Sequence, residues 1–374
     1  MKKGKLIRRS FCLLLVFVFL TGIAAGCGSN TPKPDAGNKE TAEQKTSDAA
    51  GNDDKKTEEK PKEAEKTPEY KFALVKGANH PYFELWAAAA DDAEKDFSLP
   101  DVVLQAAQHW DQNEQNQVLD GLIAKGIKAI SFMPADAVAG NQQISKMADA
   151  GINVICLAGP PAEPSKALFT FATDVYNSAY TGAKMAIEAM GGKGNLVHLA
   201  GMLTDPNTKK RMDAVKKAVS EYQDVKLYQE IGDLDVAEPA QNAVKNLMAK
   251  RSEIDGIICT AYVPSVAVAT ELRNFDEKRI KAVGIDTDKL VIDAIKDGYM
   301  TGTMSQNPYG QAYIGVYSMK LLADGYKWKK DNPFFIDSGT FFISKDNIDN
   351  YDEGIKQMTK KMLDEWVVKY FEAK

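Results

Sequence analysis

The sequence predicts an α/β fold of two doubly wound parallel-sheet domains joined by a hinge of several chain crossings. Three observations carry that prediction. From residue 70, short β-branched runs alternate with amphipathic stretches of about a dozen residues, the pattern of βαβ units whose parallel sheet is covered on both faces. After FTFATD (169–174) the alternation restarts on a similar scale. The chain beyond the second set is too short for a third domain, so its pieces are shared between the first two and the chain crosses between them more than once.

The strands of the first set are YKFALV, DVVLQA, IKAISFM and INVICLA, and its helices FELWAAAADDAEKDF, QNEQNQVLDGLIAKG and AVAGNQQISKMADAG. The glycine closing each of the last two is a helix stop signal with a strand directly behind it. In the second set the strands are NLVHLAG, VKLYQEIG, DGIICTA and KAVGIDT, separated by SAYTGAKMAIEAMGG, KKRMDAVKKAVSEY, PAQNAVKNLMAK and SVAVATELRNF. The tail offers TGTMSQ, the helix GQAYIGVYSMKLLADG, the extended SGTFFIS and a last helix, EGIKQMTKKMLDEWVVKYFEA. The expected division is 69–173 plus 306–336 for an N-terminal lobe and 174–305 plus 337–374 for a C-terminal lobe, the layout of a clamshell.

The first residues stand apart. MKKGKLIRR is a basic leader, and the apolar SFCLLLVFVFLTGIAA is too short and wrongly flanked for a permanent membrane span. It ends in IAAGC, which resembles the bacterial lipobox: residues 1–26 read as a lipoprotein signal peptide and Cys27 as the acylated residue, with Ala24 in place of the usual leucine. Each buried methylene of such an anchor contributes roughly 0.8 kcal/mol. Residues 28–68 contain no Val, Ile, Leu, Met or aromatic residue and cannot offset their chain entropy by burial, so they read as a disordered tether with a reach of roughly 35 Å. Cys156 and Cys259 lie inside apolar runs of different lobes and are expected buried and free.

Among 374 residues the net charge is −5, which leaves no basic excess to neutralise phosphates and argues against a nucleic-acid partner. His80, His109 and His198 have no metal-ligand spacing, and no Cys–His or G-x-S-x-G arrangement occurs. The glycine-rich MGGKGN precedes a strand instead of opening a helix, so it is not a phosphate loop. No enzyme, cofactor or metal is expected.

Ligands of open α/β sheets bind outside the carboxyl ends of the strands. The loops there hold Asn79-His80-Pro81-Tyr82-Phe83, Gln108-His109-Trp110-Asp111, Thr204-Asp205-Pro206-Asn207-Thr208, Ala261-Tyr262, Asp286-Thr287-Asp288 and Ser305-Gln306-Asn307. Rings stack on the apolar faces of a hydroxyl-rich neutral ligand while carboxylates, amides and guanidinium groups take its hydroxyls. Structural readings compete at several positions. Tyr82 and Phe83 suit a hydrophobic staple, Arg211 a solvated helix face and Gln306 a hinge support. Asp286 suits a helix cap, although Asp288 and Thr287 can also fill that role.

In order and spacing, ALVKGANHPYF, KGIKAISFMPADA, AGINVICLAG, FATD, KAVGIDT, TGTMSQNPYGQAYIG and ISKDNIDNY resemble the type I periplasmic sugar-binding proteins, the ribose-binding-protein-like group serving ABC importers. The resemblance covers nearly all of 70–374. It implies a small sugar or polyol in the cleft of an extracytoplasmic, lipid-anchored monomer that meets an ABC permease. It also implies stacking by Tyr82 and Phe83 and hydrogen bonds from His80, Arg211, Asp286 and Gln306, with Asn207 and Tyr262 as further matches. Where the group often has Asp-Arg, this chain has Ala158-Gly159, and where a ring often separates two aspartates it has Leu234. Trp110 is expected to supply the missing ring, and the ligand to be an unusual sugar, a polyol or a sugar-derived signal. The alternative role is that of a sensory partner presenting its ligand to a membrane receptor.

Overall fold

The computed structural model describes residues 69–372; the signal segment, Cys27 and the tether lie outside the described residues. In chain order the strands and helices of the first half are β1 (Phe72–Lys76), α1 (Leu85–Asp96), β2 (Val103–Ala106), α2 (Gln112–Ala124), β3 (Ala129–Phe132), α3 (Ala139–Asp149), β4 (Asn153–Leu157) and β5 (Thr170–Ala172). Then come α4 (Val175–Ala189), β6 (Lys193–Leu199), α5 (Pro206–Val219), β7 (Asp224–Ile231), α6 (Ala237–Ala249), β8 (Gly256–Cys259), α7 (Tyr262–Asn274), β9 (Lys281–Ile285), α8 (Lys289–Lys296) and β10 (Gly302–Ser305). The tail supplies α9 (Pro308–Ala323), β11 (Lys327–Trp328), β12 (Phe335–Asp337), β13 (Phe341–Ser344), α10 (Tyr351–Tyr370) and β14 (Phe371–Glu372). Gly126 and Gly151, after α2 and α3, have φ of 79° and 76°, the left-handed stop that other residues adopt at a cost.

Two six-stranded sheets result, ordered β12-β5-β4-β3-β1-β2 and β13-β10-β9-β8-β6-β7. Each is a doubly wound sheet with an added edge strand. Alternate side chains of one strand feed opposite faces: Phe72 and Leu74 of β1 join the core under α1 and α9, while Ala73 and Val75 join the one under α2 and α3. In the second sheet Ile257 and Cys259 of β8 face α6, α7 and α8, and Ile258 faces α4 and α5. Cys156 and Cys259 are buried free thiols, one in each sheet, and burial pushes both pKa values up.

The chain crosses between lobes at Thr173-Asp174, at Gln306-Asn307 and between β12 and β13. The last crossing explains a difference in strand direction. β12 runs parallel to β5, whereas β13 runs antiparallel to β10. Both sheets turn their strand carboxyl ends toward the cleft, so a run that leaves one sheet by those ends enters the other against its strands. The three-residue β12 lacks any periodic signal long enough to be read from sequence.

The division expected for the tail needs correction. α10 begins against β13, where Gly354 lies under the Phe341 ring, but it ends in the first lobe. Trp366, Tyr370 and Phe371 belong to the core that holds Phe72, Phe169 and Phe171, and β14 pairs with β11. The Trp366 indole lies 5.0 Å from the Phe171 ring and donates to Ser318 Oγ at 2.9 Å. The apolar stripe of α10 showed that it must pack, but not against which lobe.

Trp366→Ala therefore empties a site in the first core and leaves Ser318 without its donor. Chemical denaturation should show a loss of about 3–5 kcal/mol. A loss below about 1 kcal/mol, within the range of surface substitutions, would show that the helix end does not belong to that core.

Candidate functional site

In both sheets the strand order reverses beside the first strand of the set, between β1 and β3 and between β6 and β8. Flanking connections diverge at such a switch point and leave a crevice. The loop after β1 carries His80, Tyr82 and Phe83; those after β6 and β8 lead into α5, with Asn207 and Arg211, and into α7, which opens on Tyr262.

His80 begins a short 3-10 turn, Pro81–Phe83, and its Nδ1 accepts the Tyr82 amide at 3.1 Å. The neutral ring thus carries its proton on Nε2, and burial lowers its pKa against the pull of Asp235 and Glu84. The His80 ring stands edge-on to Trp110 at 6.0 Å and to Tyr262 of the other lobe at 5.7 Å. These rings meet across the cleft. Tyr262 is fixed in turn by its hydroxyl, which donates to Asp288 Oδ2 at 2.5 Å. Asp288 also caps α8 through the Leu290 amide, so Asp286 is not that helix's cap.

The two adjacent rings after β1 part company. Phe83 is fully buried and packs 4.9 Å from Trp86. That corrects the expectation that it stacks on ligand: with no exposed face it instead braces Trp110, whose ring stacks on it at 6.0 Å. Trp110 is 48% exposed and fits because residue 77 is glycine; a Cβ there would approach its ring at 3.3 Å. Tyr82 points the other way, its hydroxyl donating to Gln311 Oε1 at 2.7 Å.

Gln311 was not singled out in the sequence. It is fully buried near the start of α9, and its Nε2 lies 2.9 Å from Ser338 Oγ and 3.4 Å from Thr173 Oγ1. Asn307 completes the group, donating to the Ser338 carbonyl at 3.0 Å and accepting from the Gly310 amide and the Thr359 hydroxyl. One amide side chain links a cleft ring to two of the three hinge crossings. The signal was available: a glutamine inside a helix apolar on every side must be satisfied by something specific.

On the second lobe, Asp286 sits at φ 67°, a region aspartate enters more readily than most residues. Gln306 Nε2 donates to its Oδ1 at 2.9 Å, and Gln306 itself is buried. Burial raises the Asp286 pKa, opposed by that hydrogen bond and by the charge of Arg211. Arg211 makes no hydrogen bond or ion pair with another described residue, so its donors are available to a ligand. Beneath it the sequence reading missed His198, buried between Glu230 at 3.0 Å and Thr260 Oγ1 at 2.8 Å, which steadies the residue two before Tyr262. Asn207 stands in the first turn of α5, where its amide donates to the cap Asp205.

Across the cleft the arrangement sets aromatic surface opposite one half-buried carboxylate, one guanidinium and several amides. A model of the periplasmic binding protein domain matches residues 72–327. The chain belongs to the periplasmic binding protein family. A xylitol-binding protein of Mycolicibacterium smegmatis is 26% identical over 255 residues, 68% of this chain and 72% of the relative. The D-allose-binding periplasmic protein of Escherichia coli is 24% identical over 280 residues, covering 70% and 85% of the two chains. Among solved structures, an ABC transporter periplasmic solute-binding protein of Actinobacillus succinogenes with bound D-allose superposes with a TM-score of 0.68 at 25% identity, over 75% of this chain and 99% of that one. The type I clamshell expected from sequence is the fold of this periplasmic binding protein.

Because burial raises the Asp286 pKa, the ionised carboxylate costs the folded state stability at neutral pH. The cost disappears as pH falls below the ordinary aspartate value of about 3.9, where folded and unfolded chains are both protonated. Asp286→Asn keeps an acceptor for Gln306 and tolerates the positive φ. Its Tm without ligand should exceed that of the wild type at pH 7, and the difference should vanish near pH 3.5. A lower Tm at pH 7 would show that Arg211 and Gln306 more than offset the desolvation.

Proposed function

We propose that this chain is an extracytoplasmic, lipid-anchored substrate-binding protein of an ABC importer, taking a small sugar or polyol into the cleft between its lobes. The observation that carries the reading is the Asp286–Gln306 pair with Arg211 beside it, facing Tyr82 and the His80–Trp110–Tyr262 rings. A neutral polyhydroxylated ring offers apolar faces to aromatics and a rim of hydroxyls to charged acceptors and donors, and this site presents both. Relatives named for xylitol, D-apiose and D-allose support that ligand class.

In this reading Tyr82 and Trp110 give stacking surface, while Asp286 and Arg211 grip hydroxyls with charge-assisted bonds. Gln306 holds Asp286 in place, and His80, Asn207 and Tyr262 complete the polar rim. Contacts from both lobes form together only when the cleft is shut, so ligand shifts the equilibrium toward closure. Binding without chemistry is the role, and the permease is the partner.

A thermal-shift screen of sugars, polyols, amino acids and nucleosides should find stabilisation by a carbohydrate or polyol. Asp286→Ala should cost that ligand about 1.5–3 kcal/mol and abolish the fall in radius of gyration on binding. Stabilisation by amino acids or nucleosides alone would refute the ligand class. Separately, Cys27→Ala should release the protein from the membrane fraction; undiminished membrane association would remove the lipid anchor from the proposal.

A further inference from the structure

We propose that the cleft contains a second ring-binding subsite beside the hinge, so that the ligand is a sugar carrying a second ring through a glycosidic bond; this rests on the sugar-binding reading above. A cavity of ≈ 380 Å3 lies between the lobes there. Its volume falls within the range of about 300–1,000 Å3 found for ligand pockets. Ala158, Pro160 and Phe335 line it from the first lobe, Tyr176 and Asn207 from the second, and Thr173 from the crossing between them. None of the rings that meet across the cleft at His80 lines it.

The space is built in. From the loop after β4 only the small Ala158 and Pro160 border it, and Ala158 holds a φ of 61°. Two aromatics from opposite lobes border the gap and keep open faces, Tyr176 at 40% exposure and Phe335 at 37%. Two half-exposed rings on one concave surface suit a planar or chair-shaped partner. The Asn207 side chain makes no hydrogen bond to another described residue and can meet the hydroxyls near the linkage. Thr173 joins this cavity to the first subsite, since its hydroxyl accepts from the same Gln311 that holds Tyr82.

Calorimetry on the intact purified protein with matched sets (each monosaccharide, its phenyl glycoside and a disaccharide built on it) tests the proposal. For the sugar that binds, a two-ring member of its set should bind about tenfold tighter than the free sugar. Tyr176→Ala and Phe335→Ala should each remove most of that gain and leave monosaccharide affinity unchanged; both positions are partly exposed, and Tm verifies that each variant folds. Monosaccharides binding as tightly as all their glycosides would overturn the subsite while leaving the sugar-binding reading intact. A gain that survives both variants would place the second ring elsewhere and overturn it too. Absence of binding by any carbohydrate would remove both readings.

Discussion

Three chain crossings that run through the protein interior impose one requirement: their polar groups must be satisfied without water while the lobes keep freedom to turn. Side chains supply the partners. Asn307, Gln311 and Ser338 are fully buried and bonded to one another or to crossing backbone, and Thr359 reaches in from α10. An unpaired group of this kind costs about 1–3 kcal/mol, so the network fixes where the crossings lie. It also sets the residues around it. A Cβ at Gly310 would overlap Asn307 Nδ2 and fall 2.5 Å from Thr359 Oγ1, which leaves room only for glycine. The hydroxyl of Tyr82 ends on this network, so the geometry of the cleft and that of the hinge are not independent.

A second tension lies at Asp286. A carboxylate that grips hydroxyls must be held partly out of water, where its charge is least welcome. One amide and one guanidinium offset that cost only in part, and the residue also holds a backbone conformation few side chains adopt. Positive φ and desolvation coincide at this one carboxylate, and that coincidence is why a ligand-binding role is proposed for it.

How much of this was legible in the sequence depends on the range of each interaction. Periodicity is local, so the strands and helices of both sheets could be read apart from the three-residue β12, as could the layout of two lobes. Loop composition at strand ends is also local, and it pointed to Tyr82, Trp110 and Asp286, whereas Arg211, inside α5, was singled out only by the family resemblance. Direction is not local: nothing in PYF says that one ring turns inward and its neighbour toward the hinge. The same limit hid Gln311, whose partners come from residues 82, 173 and 338, and the end of α10, whose stripe fits either lobe. His198 reads as one more apolar-strand residue until Glu230 and Thr260 are seen beside it.

The path of the chain through the two lobes bears on how the protein is made. From α4 to β10 the second lobe is nearly contiguous, lacking only the edge strand β13 and the segment from Ile348 into the start of α10, and most of its core can condense as soon as that stretch emerges. The first lobe joins Phe72 to Trp366, from opposite ends of the described residues, within one core. A chain emerging with its N-terminus first must therefore carry an unfinished lobe, with β1 to β5 formed and its apolar face open, until the final helix arrives. That interval is when the nascent protein is most exposed to aggregation and proteolysis, and a C-terminal truncation would make the exposure permanent.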